Sequence, residues 1–305
     1  MALASQPISL PARRTLRLYA SVEWWHLLSL DAPTVAVLWA WSFARTFHLT
    51  LSPSSLPLLF AGTWLLYVAD RILDGFHQDS AHLRERHLFY LRHRAAAIAA
   101  AVPVCALLAW LVLFHMLANA RLDDTLIFSV AAAYFLLVHL RGRAIQRWFP
   151  KELIVALVFA SATAVPAWAR LTHSHATFFL IAILFAALCW LNCVAIEKWE
   201  QDGGKAVAMP ARTSRNWNSQ AHTSDRTTLW GRRHLRRLSA AIASAAVLAS
   251  ALLLHSNPSA AGLCFAAALA AVIFLPLDRS PMSAFHLRIA ADAALLTPLL
   301  ILLLH

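Results

Sequence analysis

Two groups of acidic residues in this chain have a spacing suited to chemistry rather than to packing. Asp70 and Asp74 stand four residues apart in the run YVADRILDG, at the end of the apolar stretch Leu56 to Val68. On a helix that spacing puts both carboxylates on one face, about 5–6 Å apart at Cβ. A second group, Glu197, Glu200 and Asp202, ends another apolar run in NCVAIEKWEQD, which opens on Asn192. A charged side chain at membrane depth is expensive and is a functional candidate by default. Like charges this close repel in low dielectric, and a divalent cation is their natural partner. Carboxylate oxygens suit Mg2+, which shares its remaining positions with substrate phosphates and neutralises the charge that develops on a departing diphosphate. Arg71, Arg141, Arg143, Lys151 and Lys198 could reach the same oxygens.

The elements that must position these groups are membrane helices. The chain of 305 residues is 60% hydrophobic and 13% charged, against about 25% charged for soluble domains. Its mean hydropathy is +0.61. Apolar stretches near the roughly 20 residues a bilayer needs recur at about 27–47, 55–74, 95–118, 125–141, 152–170, 176–198, 238–256, 260–277 and 286–304. The expected architecture is therefore an all-α integral membrane protein, with nine transmembrane helices in one bundle. Residues 1–26 form a short interfacial segment, residues 27–305 the membrane domain, and 75–94 and 199–237 its longer polar loops. No cleaved signal is expected, because the first strongly apolar run starts only near His26.

The net charge of +11 is distributed by side rather than gathered into a nucleic-acid face. With nine crossings, 23 of the 26 Lys and Arg fall on the N-terminal side, and only Arg45, Arg121 and Arg170 on the other. That asymmetry predicts the N-terminus in the cytoplasm and the C-terminus outside. Both acidic groups then lie at the cytoplasmic ends of the second and sixth spans. Cys105, Cys189, Cys193 and Cys264 show no zinc or redox spacing. With only 7 Gly, close helix packing is expected to rest on the Ala- and Ser-rich faces of spans 3, 5, 7 and 8.

Taken together, nine spans with acids at the inner ends of the second and sixth resemble the UbiA superfamily of intramembrane prenyltransferases over nearly the whole chain. Its first motif looks like N-x-x-x-D-x-x-x-D. Asp70 and Asp74 supply the acids, and Leu66 stands at the Asn position. In the second motif Asn192, Glu197 and Glu200 fit, with Glu for Asp, and Asp202 adds a third acid. Lys151 is the nearest equivalent of the family's basic residue between the fourth and fifth helices. The resemblance implies transfer of a prenyl group from a prenyl diphosphate to an acceptor, with Mg2+ as cofactor. Asp70, Asp74, Glu197, Glu200 and Asp202 would hold the metal, while Asn192, Tyr67, Arg71, Arg141, Lys151 and Lys198 would contact substrate. It also implies a plasma-membrane location with the site facing the cytoplasm. Partners would be the prenyl diphosphate, an acceptor (aromatic or lipid) and membrane lipid, with no nucleic acid.

Other readings stand beside this one. Intramembrane acids also serve ion-coupled transport, and a non-catalytic scaffold could keep the same fold. Asp70 could simply pair with Arg71. Asp292, four residues after Arg288, suits an intrahelical pair, and Asp31 suits a helix cap. Tyr67, Tyr134, Trp64 and Trp190 could either line a cation-stabilising pocket or pack. His173 and His175 have no carboxylate neighbours and suggest no metal site.

Overall fold

The computed structural model describes residues 21–77, 85–115, 122, 150–207 and 225–302, and they are helical without strands. In chain order the helices are α1 (Ser21–Leu27), α2 (Asp31–Thr46), α3 (Ser55–His77), α4 (Glu85–Arg92), α5 (Arg94–Phe114) and α6 (Lys151–Trp168). They continue with α7 (His175–Val207), α8 (Arg226–Arg233), α9 (Leu235–Leu253), α10 (Pro258–Leu277), α11 (Ala284–Ala294) and α12 (Pro298–Leu302). Five helices are long and apolar enough to cross a membrane: α5, α6, α7 over His175–Asp202, α9 and α10. The bent pair α1–α2 would make a sixth. The expected fourth span lies outside the described residues.

The helix ends follow local chemistry. Asn257 caps α10 by accepting from the Ala260 amide at 2.9 Å, and Pro258 follows in the first turn, where a missing N–H costs nothing. Asp225 caps α8 by accepting from the Thr228 amide at 2.9 Å. Helix α7 runs 33 residues, about 50 Å, and so outlasts a hydrocarbon layer of about 30 Å. Its last third carries the predicted acids out of the apolar layer.

The core gathers on α7. Phe178, Ile181, Phe185, Leu188 and Leu191 are fully buried along it, meeting Trp39 and Phe43 of α2, α6 and α10. Trp39 stacks on Phe185 with ring centroids 4.3 Å apart. Helices α9 and α10 form the tightest hairpin, through small residues as expected of spans 7 and 8. Ala243, Ala246 and Ala249 face Ala260, Ala268 and Ala271. Two hydroxyls cross that seam, Ser239 to the Ala271 carbonyl and Ser250 to the Ala261 carbonyl at 2.8 Å. Such bonds hold where lipid offers no water to replace them. The small face of α5 does not pack in this way: among the described residues it buries only Leu111.

The ninth expected span is broken. Pro298 lacks an N–H, and its ring would strike the carbonyl four residues back, so the chain turns over 295–297 between α11 and α12. The carbonyls set free are satisfied from elsewhere. Trp39 donates its indole N–H to the Leu295 carbonyl at 2.8 Å. Thr297 anchors the turn by donating to the Ala266 carbonyl at 2.8 Å.

Candidate functional site

The stretch expected as the first span is also interrupted, close to its start, and the interruption builds the centre of the polar site. Helix α1 meets α2 at 91°. Ser29, at φ 55°, sits in the left-handed region that reverses the chain. Asp31 opens α2, where the helix dipole favours an acid, and Pro33 follows within the first turn. Tryptophans again hold the break together. Trp64 of α3 donates to the Leu28 carbonyl at 3.1 Å. Trp25 donates to the Thr34 hydroxyl at 3.1 Å, which in turn donates to the Leu30 carbonyl at 2.6 Å.

Three ionisable side chains meet behind this break. His26 Nδ1 lies 2.8 Å from Asp31 Oδ2 and 3.7 Å from Oδ2 of Asp292 on α11. His26 is fully buried and Asp31 is 2% exposed. The remaining carboxylate oxygens are held in place by the protein. Asp31 Oδ1 accepts from the Ala32 amide at 3.0 Å, and Asp292 Oδ1 accepts from Asn192 Nδ2 of α7 at 2.9 Å. Tyr67 of α3 interacts electrostatically with Asp31, Asp292, Arg71 and Cys193. Cys193 in turn interacts with Lys151 and Glu152 of α6 and with Asp292 and Arg288 of α11. Polar groups of α2, α3, α6, α7 and α11 thus share one end of the bundle. The Asn192 Oδ1, Trp190 Nε1 and Ser29 Oγ atoms are buried there without a hydrogen-bond partner among the described residues.

Most of the predicted acids are engaged one by one. Asp70 receives Arg71 at 3.1 Å, and the largely buried Arg71 lies over the Tyr67 ring at 5.8 Å. The Asp74 side chain lies outside the described residues, as does Arg141. Glu197 accepts from Gln201 one turn further along the same helix. Glu200 pairs with Arg288 of α11 at 2.6 Å, so Arg288 reaches across to α7. Lys198 and the Trp199 indole converge on Asp278 at the end of α10. Lys151 is exposed at the start of α6, and Asp202 is exposed beyond the apolar part of α7.

The fit of these acids to magnesium can be judged from that geometry. Among the described residues, the only three potential ligands with donor atoms within 4.8 Å of one another are His26, Asp31 and Asp292. Asp70, Glu197 and Glu200 do not gather into such a set, so no step is routed through an ion held by them. By sequence alone Asp31 suits a cap and Asp292 half of an intrahelical pair. Their signal was present nonetheless: each is a carboxylate inside an apolar run, which alone marks a candidate.

At the same end, α8 closes over α6 and α7. The buried Thr228 hydroxyl reaches Glu152 Oε2 at 2.6 Å and Asp225 Oδ2 at 2.8 Å. Gly231 lies so close to Val194 that an added Cβ would sit 3.1 Å from its Cγ1. Beside it, a groove of about 640 Å³ is lined by Lys198, Arg232, Arg233, Arg236, Arg237 and Asp278, among others. Comparison with known proteins finds no family model, no curated protein and no solved structure that matches this chain.

Proposed function

We propose that this chain is a divergent UbiA-like prenyltransferase, working inside the membrane on a prenyl diphosphate and a second, acceptor substrate. One observation carries the reading: Tyr67 of α3 and Cys193 of α7 have Asp292 of α11 as a common neighbour, Asn192 of α7 donates to the same Asp292 at 2.9 Å, and Lys151 and Arg288 lie near Cys193. The resemblance assigns the second and sixth expected spans to this role, and α3 and α7 cover those stretches of the chain. In this reading Arg71, Lys151, Lys198 and Arg288 balance the diphosphate charge, Asn192 orients it, and α8 limits water entry over α6 and α7. Dependence on Mg2+ belongs to the proposal and is drawn from the resemblance alone. So are the nine crossings, the cytoplasmic N-terminus and the inward-facing site. These are supported by the 23-to-3 distribution of Lys and Arg, and reporter fusions at the loops 75–94 and 199–237 test them.

The deciding assay uses full-length protein in lipid nanodiscs, prenyl diphosphates of several chain lengths, and Mg2+. Binding that requires the diphosphate, followed by pyrophosphate release with an aromatic or lipid acceptor, is the expected result. No binding of any prenyl diphosphate in the presence of Mg2+ overturns the proposal.

A second reading, cation-coupled transport, has an observation of its own. The stretches expected as the first and ninth spans are both interrupted, just before Asp31 and just after Asp292 respectively. Interrupted helices with acids at the break are how transporters build ion sites. Flux in liposomes that disappears in Asp292→Asn would favour this reading over the enzymatic one.

A further inference from the structure

We infer that His26, Asp31 and Asp292 form a binding site for one divalent first-row transition cation of the Zn2+ or Co2+ type, separate from the acids of α3 and α7. The donor atoms already lie within 4.8 Å of one another, a spread that metal–ligand bonds of about 2.0–2.2 Å can close with small side-chain movements. Each carboxylate is built to present one oxygen. Asp31 keeps Oδ1 on the Ala32 amide and turns Oδ2 to His26. Asp292 keeps Oδ1 on the Asn192 amide and likewise turns Oδ2 to His26. An outer partner that fixes the spare oxygen of a ligating carboxylate is the usual support of a metal site.

A second observation comes from Asn192. Its amide nitrogen supports Asp292, and the oxygen of the same carboxamide is buried without a hydrogen-bond partner among the described residues. A hard oxygen lacking a donor, attached to the group that orients a metal ligand, is a ready further ligand or a partner for metal-bound water. One imidazole nitrogen with carboxylate oxygens suits Zn2+, Co2+ or Fe2+ better than Mg2+, which prefers an all-oxygen, water-rich shell. Asp292, 14% exposed at its side chain, leaves an approach that His26 and Asp31 do not.

The site also has a structural consequence. His26 lies in α1, Asp31 opens α2 and Asp292 belongs to α11, so a bound ion ties both sides of the 91° break to the last span.

The test uses untagged, full-length protein in nanodiscs, stripped with chelator and titrated with Co2+ alone. The expected result is one Co2+ per chain with visible d–d absorption, displaced by Zn2+. Asp292→Asn and His26→Gln should each weaken binding by roughly 100-fold or more, and Asn192→Ala by about 10–100-fold, the size of an outer-ligand effect. Asp70→Asn should bind Co2+ as the unaltered chain does. Circular dichroism and gel filtration identify variants that fail to fold, and for those the unaltered chain carries the decision. No stoichiometric Co2+ in the unaltered chain overturns the proposal. So does unchanged binding in folded Asp292→Asn and His26→Gln, or loss of binding in Asp70→Asn but not in His26→Gln.

Discussion

Replacing Trp39 with Phe keeps an aromatic ring against Phe185 and removes one N–H. That N–H reaches the Leu295 carbonyl at 2.8 Å, where the turn before Pro298 has left the carbonyl outside the helical ladder. Trp39 is fully buried, so no water can take its place. An orphaned buried acceptor costs about 1–3 kcal/mol, whereas hydrogen bonds between membrane helices average about 0.6 and reach about 1.7 kcal/mol. Losing the second ring adds a cavity term of about 1 kcal/mol at a site that cannot readily collapse. The sum is about 2 kcal/mol, or about 30-fold in the folded-to-unfolded ratio. Reversible unfolding in mixed micelles measures it. Trp64→Phe is the internal control, because its bond to the Leu28 carbonyl is longer, at 3.1 Å, and lies at the protein surface rather than in the core. That variant should lose no more than about 0.6 kcal/mol, the average for a hydrogen bond between membrane helices. If Trp39→Phe stays within about 0.3 kcal/mol of the unaltered chain, or if Trp64→Phe proves the costlier change, the account of how the broken last span is held is wrong.

Three further outcomes follow from contacts at the polar end of the bundle. Arg288→Met removes the cation paired with Glu200 and should destabilise by about 2–3 kcal/mol in micelle unfolding, below the full cost of a buried pair because Glu200 keeps 15% exposure. Adding Glu200→Gln should recover most of that loss; no recovery would mean that the pair is not the cause. Thr228→Val removes the hydroxyl that joins α8 to Glu152, so trypsin should cut after Arg232 and Arg233 several-fold faster while global unfolding shifts by about 1 kcal/mol. Gly231→Ala should cost about 1 kcal/mol by pressing on Val194, and Val194→Ala in the same chain should restore it.

The spans were legible because lipid imposes a length and a composition. The five helices that pass as membrane-spanning coincide with predicted stretches within a few residues, although α7 runs well past its expected end. The small-residue seam between α9 and α10 was legible for the same reason: with few glycines, only Ala and Ser allow close approach. The two breaks were not. Pro33 and Pro298 were visible, but a proline in an apolar run does not reveal whether the helix kinks, caps or stops. That depends on whether another element can satisfy the freed carbonyls, and here the donors are Trp64 and Trp39, 36 and 256 residues away in the chain. The site was half legible for a related reason. Carboxylates at the ends of two spans stood out by spacing, whereas His26, Asp31 and Asp292 look like a boundary residue, a cap and a helix pair until the bend at Ser29 brings them together.

Helix α7 has no proline or glycine between His175 and Asp202. Over that length it behaves as a stiff rod whose middle third touches Asp292 through Asn192 and whose last third grips Arg288 through Glu200. Eight residues of rise, about 12 Å, separate those two handholds, and both hold the same short helix, α11. A tilt of α11 therefore cannot be absorbed locally. It must either carry the rod along with it or release one of the two grips.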